Sequence, residues 1–131
     1  MTKRQTIGEL LEVARARLDR LSPDAAHREH LDGALLVDTR SQELRRETGI
    51  IPGSVHVPLS VLFWRLDPSS ETRDEDLADL DRRVVLICAH GYSSSLAAAT
   101  LQELGFAQAT DVEGGFEAWA NAGLPVEPLA D

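Results

Sequence analysis

The chain predicts an α/β fold, a parallel sheet with helices on both faces, and three observations carry that expectation. Short, largely apolar runs recur at residues 34–37, 55–57 and 84–88, the last of them fully apolar, and runs without polar alternation are the composition of strands buried on both faces. Stretches of helical spacing lie between and after them, near 41–47, 59–66 and 93–104, and strand–helix alternation of this kind builds layered α/β domains. A chain of 131 residues that is 43% hydrophobic suffices for one core and is short for two domains.

Each element has its own local reason. Thr6 followed by Glu9 is a capping box, and Ile7, Leu10, Leu11, Ala14 and Leu18 recur at helical spacing, which predicts an amphipathic helix over 7–18. Ser22 before Pro23 is an N-cap with proline at the first helical position, and Gly33 is placed to end that second helix. The run 34–37 is closed by Asp38, the run 55–57 sits between two proline-containing turns, and 84–88 is the most β-branched of the three. Residues 67–83 are rich in Asp, Glu, Ser and Arg and read as a surface connection with one short helix around 74–80. Gly105 closes the helix over 93–104, and Gly114 and Gly115 form a turn from which Phe116, Ala118 and Trp119 pack back on the sheet.

Charge and cysteine content exclude several functions. Thirteen basic against 22 acidic residues leave a formal net charge of −9, which repels nucleic-acid phosphates and anionic membranes. Residues 1–20 alternate charged and apolar side chains and never form the uninterrupted apolar stretch of a secretory signal or membrane span, so a cytoplasmic protein is expected. A lone cysteine, Cys88, permits no internal disulfide and no zinc site of several thiolates. No metal or cofactor is expected, and Cys88 is either a buried small hydrophobe or a nucleophile.

Its setting favours the nucleophile. Cys88 ends the apolar run Val84-Val85-Leu86-Ile87 and precedes Ala89-His90-Gly91-Tyr92-Ser93-Ser94-Ser95 and the helix-forming Leu96-Ala97-Ala98-Ala99. In open parallel sheets, ligands bind in the crevice at the carboxyl ends of strands. A short loop of small residues between strand end and helix start turns backbone N–H groups inward, and the helix adds its positive end. Thiols at helix starts titrate at roughly 3.5 to 7.5 instead of about 8.5. Cys88 is therefore the candidate nucleophile, and Ala89, His90, Gly91, Tyr92, Ser93 and Ser94 are the candidate anion-binding loop. Within it, Ser94 and Ser95 read most simply as helix N-caps, with one hydroxyl also able to point at the sulfur; His90 reads as solvent-facing, with pairing to the thiolate as the alternative, and Tyr92 as a pocket wall. Asp38 and Arg40 read as a structural pair at a strand end; Trp64 reads as a core residue of its helix or, with Arg65, as a border of the pocket that supplies a positive charge.

The stretch Cys88-Ala89-His90-Gly91-Tyr92-Ser93-Ser94 resembles the active-site loop of the rhodanese family. Asp38-Thr39-Arg40 resembles that family's Asp-x-Arg, and Gly49-Ile50-Ile51-Pro52-Gly53-Ser54 its Gly-His-Ile-Pro-Gly-Ala. Glu113-Gly114-Gly115-Phe116-Glu117-Ala118-Trp119 and Ala122-Gly123-Leu124-Pro125-Val126 are similar to its closing Gly-Gly, Ala-Trp and Gly-Leu-Pro-Val elements. Four motifs in the family's order run from Asp38 to Val126. The resemblance implies a single rhodanese-like domain over 21–131 with a five-stranded parallel sheet and helices on both faces. Residues 1–20 are then an added N-terminal helical extension.

The resemblance further implies a sulfurtransferase that carries sulfane sulfur from a donor such as thiosulfate, through a Cys88 persulfide, to a thiophilic acceptor. That acceptor is cyanide, a thiol or a protein, because the chain has no second cysteine to resolve the persulfide. Two positions depart from the family pattern: Ser93 stands where many members carry arginine, and Ile50 where the motif has histidine. Two alternatives stand beside this reading. One is a non-catalytic or persulfide-carrying interaction module. The other is a dual-specificity-type phosphatase, whose cysteine loop is one residue longer and closes with an arginine that clamps phosphate.

Overall fold

The computed structural model describes residues 3–130. Its strands are β1 (Leu35–Asp38), β2 (Val55–His56), β3 (Val84–Ile87) and β4 (Thr110–Asp111). Its α-helices are α1 (Ile7–Ala16), α2 (Pro23–Leu31), α3 (Gln42–Thr48), α4 (Leu62–Leu66), α5 (Ser93–Glu103) and α6 (Gly115–Asn121). All strand pairings are parallel, in the order β2-β1-β3-β4.

The inner strands sort their side chains by the two-residue period of a strand. Leu35 and Val37 of β1, with Val84 and Leu86 of β3, pack into one core together with Leu62, Leu66, Ala97, Ala98, Leu101 and Phe106. Leu36, Val85 and Ile87 face the other way, into a second core with Ala26, Ile51, Phe116 and Trp119. Helices α4 and α5 thus cover one face, while α2 and α6 cover the other. Because β1 and β3 are covered on both sides, β3 is apolar throughout and β1 is apolar up to its last residue, Asp38, which makes both runs legible as strands. The sheet has four strands, where five were expected. The fifth position is occupied by Leu21 alone, which bridges Val112 in parallel and exchanges backbone bonds with the Asp111 oxygen (3.0 Å) and the Glu113 nitrogen (2.8 Å). It extends no further because Ser22 already caps α2 and Pro23 has no N–H to donate.

The capping box at Thr6 and Glu9 is formed on both sides, and Ser22 caps α2. Helix α1 ends at Ala16, one turn's fraction short of the expected 18. No helix forms over 74–80. Asp74 and Asp79 there bind the amides of Asp76 and Asp81, so the segment folds into successive turns; such local side-chain bonds compete with helical ones. Helix α1 lies across α5, buries Ala14, and leaves Ile7, Leu10 and Val13 substantially exposed. Among the described residues no helix is long and apolar enough to cross a membrane.

Asp38 anchors the end of β1. Its buried carboxylate receives the Arg40 guanidinium at 2.8 and 3.0 Å and the Arg40 amide at 3.0 Å, with Arg45 Nε at 3.4 Å. Arg40 also donates to Thr48 and to the Gly49 carbonyl, and it stacks 3.7 Å from the Phe116 ring centre. Asp38 and Arg40 are thus a structural pair. Removing the carboxylate leaves two buried guanidinium groups uncompensated, so Asp38→Ala should lower unfolding free energy by about 3 to 5 kcal/mol, measured by urea titration.

Candidate active site

Strand β3 delivers Cys88 to the carboxyl edge of the sheet, and α5 begins only five residues later, at Ser93. So short a connection has to turn sharply, and Gly91 makes the turn at φ +83°. The loop lies directly on the start of α6: a Cβ on Gly91 would stand 2.8 Å from the Gly114 nitrogen, and one on Gly115 would collide with the Cys88 carbonyl oxygen. Backbone rests on backbone here, which only glycine permits.

Clamps hold three of the loop's carbonyl groups. The Phe116 amide donates to Cys88 O (2.8 Å), and the Glu117 amide to Ala89 O (3.1 Å). Gly91 O accepts from both Arg15 (2.8 Å) and Arg20 (3.0 Å). A trans peptide carries its N–H opposite its C=O, so fixing these oxygens fixes the opposite direction for the N–H groups of Ala89, His90 and Tyr92. The Gly91 amide points at the sulfur, with N···Sγ at 3.2 Å. Successive inward amides at a helix start form a cradle for negative charge.

A polar cluster lies beneath the sulfur. Cys88 Sγ is 3.2 Å from the Ser94 hydroxyl, which donates to Asp111 Oδ2 at 2.7 Å. Ser95 donates to the same oxygen at 2.7 Å, and Arg20 holds Asp111 through both carboxylate oxygens, at 2.9 and 3.2 Å. Arg15 donates to Ser95. Asp111 is wholly buried on β4, and four donors replace the water it has lost. The Ser94 hydroxyl has one proton and two claimants. Toward a neutral thiol it accepts. Toward a thiolate it can turn and donate, since Ser95 and Arg20 still satisfy Asp111.

Burial opposes ionisation of Cys88. Hydrogen bonds from the Ser94 and Ser93 side chains and from the Ser94 and Gly91 amides outweigh it and hold the thiol below its ordinary range. The site therefore stabilises a sulfur anion with neutral donors.

The remaining loop residues take separate parts. His90 is exposed and pairs with Glu117 (2.6 Å), away from the sulfur. It stands beside a cleft of about 310 Å³ lined also by Leu44, Ala89, Phe116 and Asn121. Tyr92 is 63% exposed, with the Arg15 guanidinium over its ring. Ser94 and Ser95 do not cap α5: its N-cap is Tyr92, with no side-chain bond, and both serines lie inside the first turn with their hydroxyls on Asp111. Trp64 and Arg65 line a different surface cleft with Ser60, Val61 and Thr72, and Trp64 is largely exposed. Ile50, at the motif-histidine position, exchanges backbone bonds with Glu127 (2.8 Å each way). Sequence reading missed Arg15, Arg20 and Asp111. The one local signal was a carboxylate inside the short segment Ala109-Thr110-Asp111-Val112, where burial demands partners.

The rhodanese-like domain model matches residues 22–122. A protein named thiosulfate sulfurtransferase GlpE from Pseudomonas syringae pv. syringae (strain B728a) is 40% identical over 100 residues, 76% of this chain and 85% of that protein. Among solved structures, a protein of unknown function from Rhodopseudomonas palustris CGA009, described as a possible tyrosine phosphatase, is 32% identical with a TM-score of 0.87. The match covers 97% of this chain and 98% of that one, too much to leave α1 out. The polysulfide-sulfur transferase homodimer of Wolinella succinogenes is 25% identical with a TM-score of 0.75, over 92% and 85% of the two chains.

Alkylation by iodoacetamide should titrate with a midpoint below the reference thiol value of about 8.5, and Ser94→Ala should raise it. The same depression stabilises the fold: the contribution is fully present above the unfolded thiol pKa and is lost as pH falls through the folded one. Unfolding free energy of the native chain, minus that of Cys88→Ser, should therefore rise with pH up to about 8.5. A flat difference would show an unperturbed thiol.

Proposed function

The chain belongs to the rhodanese-like domain family, and from that premise we propose that it is a sulfurtransferase whose sulfur carrier is Cys88, with thiosulfate as a donor. One observation carries the reading: Sγ receives the Gly91 amide at 3.2 Å in a loop whose Cys88, Ala89 and Gly91 carbonyl groups are drawn off by other donors. The relatives named thiosulfate sulfurtransferase support the donor class.

The Cys88 thiolate attacks the outer sulfur of thiosulfate. A new S–S bond forms to Cys88, the old one breaks, and its electron pair leaves with sulfite. The enzyme keeps a persulfide whose outer sulfur is anionic. The amides from Ala89 to Ser94 bind that charge as it develops, as an oxyanion hole binds oxygen. A thiophilic acceptor, such as cyanide, a thiol or an acceptor protein, then takes the outer sulfur and returns the Cys88 thiolate. With one cysteine in the chain the acceptor comes from outside.

Phosphoryl chemistry fits this loop poorly. Ser93 supplies no guanidinium to clamp a phosphate, and the nearby Arg15 and Arg20 are committed to Gly91 O, Ser95 and Asp111. Cys88→Ser should abolish thiocyanate formation from thiosulfate and cyanide without loss of fold, and mass spectrometry of the native chain after thiosulfate should show one added sulfur. Aryl phosphate hydrolysis should stay at background. Cys88-dependent phosphate release with no added sulfur would place the protein with the phosphatases, and neither product would leave it a non-catalytic module.

A further inference from the structure

The loop lacks the arginine that many rhodanese-like loops carry, yet two guanidinium groups reach it from residues that precede the family match. Both converge on one atom, Gly91 O, and between them they also hold Ser95 and Asp111. Their positions are built. Helix α1 exposes much of its apolar surface, so packing alone seats it weakly; Arg17 pairs with Glu103, and Gln102 donates to Arg17 O, fixing its end against α5. Arg20 is held from both sides. Asp19 pairs with Arg83, which also grips Glu29, and Leu21 exchanges backbone bonds around Asp111. Arg20 is nearly covered, with side-chain exposure of 15%.

We propose that Arg15 and Arg20 are positioning residues for Cys88, so that the N-terminal segment is a working part of the sulfur site. They act through Gly91 and Asp111. Pulling on Gly91 O pins the residue whose own N–H meets Sγ, and it polarises the next peptide, making the Tyr92 N–H a stronger donor. Holding Asp111 fixes the anchor of Ser94, the hydroxyl nearest the sulfur. Neither guanidinium is hydrogen-bonded to the sulfur: Arg20 is paired with Asp111, and Arg15 is spent on the neutral Gly91 O and Ser95 Oγ. This explains how a loop without its own cation keeps its amides in place.

The proposal rests on the reading of Cys88 as sulfur carrier, and two independent readouts separate the two. One is the pH midpoint of Cys88 alkylation, which needs no sulfur chemistry; the other is the rate of persulfide formation from thiosulfate. In Arg15→Gln/Arg20→Gln the midpoint should rise by about half a pH unit or more, and persulfide formation should slow at least about threefold. Arg20→Lys, which keeps a charge but not the bidentate fork, should recover part of both. A purely structural role would lower the melting temperature and leave the midpoint where it was, which overturns the proposal. Arg20→Gln leaves Asp111 uncompensated, so if the double variant does not fold, Arg15→Gln alone and Arg20→Gln/Asp111→Asn replace it. An unmoved midpoint in both overturns the proposal equally. A midpoint that moves in a protein that never accepts sulfur supports the positioning and refutes the sulfur-transfer reading.

Discussion

A strand that ends at Ile87 and a helix that starts at Ser93 leave very few residues in which to turn the backbone so that its amides, and not its carbonyls, face a sulfur. Peptide groups come with both, pointing opposite ways. The rest of the site follows from where the carbonyls are sent. Two go to the first amides of α6, which approach closely because residues 114 and 115 are glycine. A third goes to Arg15 and Arg20. Helix α6 and the N-terminal segment are thus joined by a common task on opposite flanks of one loop.

The charge distribution has the same logic. The chain carries −9 overall, an unpromising background for a thiolate or an anionic donor. Near the loop the buried carboxylates have guanidinium partners: Asp38 has Arg40 and Arg45, Asp111 has Arg20. Those pairs are buried, and Arg15 is spent on the neutral acceptors Gly91 O and Ser95 Oγ, so these cations serve to hold position. Negative charge at Cys88 is met by dipoles instead: hydroxyls and oriented amides favour the thiolate against the cost of its burial.

Much of this was legible in the residues. The strands β1 and β3 are apolar on both faces because both faces are covered, and that leaves its mark directly on composition. Thr6, Glu9, Ser22 and Pro23 act within a few residues of themselves, so their caps could be read. The misreadings occur where local and distant partners compete. Ser94 and Ser95 have the composition of caps, but a carboxylate on β4 takes their hydroxyls. Asp74 and Asp79 turn a segment with helical composition into turns by binding nearby amides. β4, two residues long, is too short for any period to show, and the fifth strand position stops after Leu21 because Pro23 follows.

What the sequence determined by itself is whatever depends on near neighbours or on burial of a whole face: the alternation of strands and helices, the placement of Cys88 between a strand end and a helix start, and the need for glycine in the turn. What tertiary structure alone decided is the company the sulfur keeps. Arg15, Arg20 and Asp111 lie roughly 70 to 90 residues from one another or from Gly91 along the chain in the contacts that matter, and nothing local marks them as partners. A guanidinium can satisfy any carbonyl or carboxylate that packing brings to it, so its partner is chosen by how α1 crosses α5 and by how Leu21 meets β4, and that choice exists only once the chain has folded.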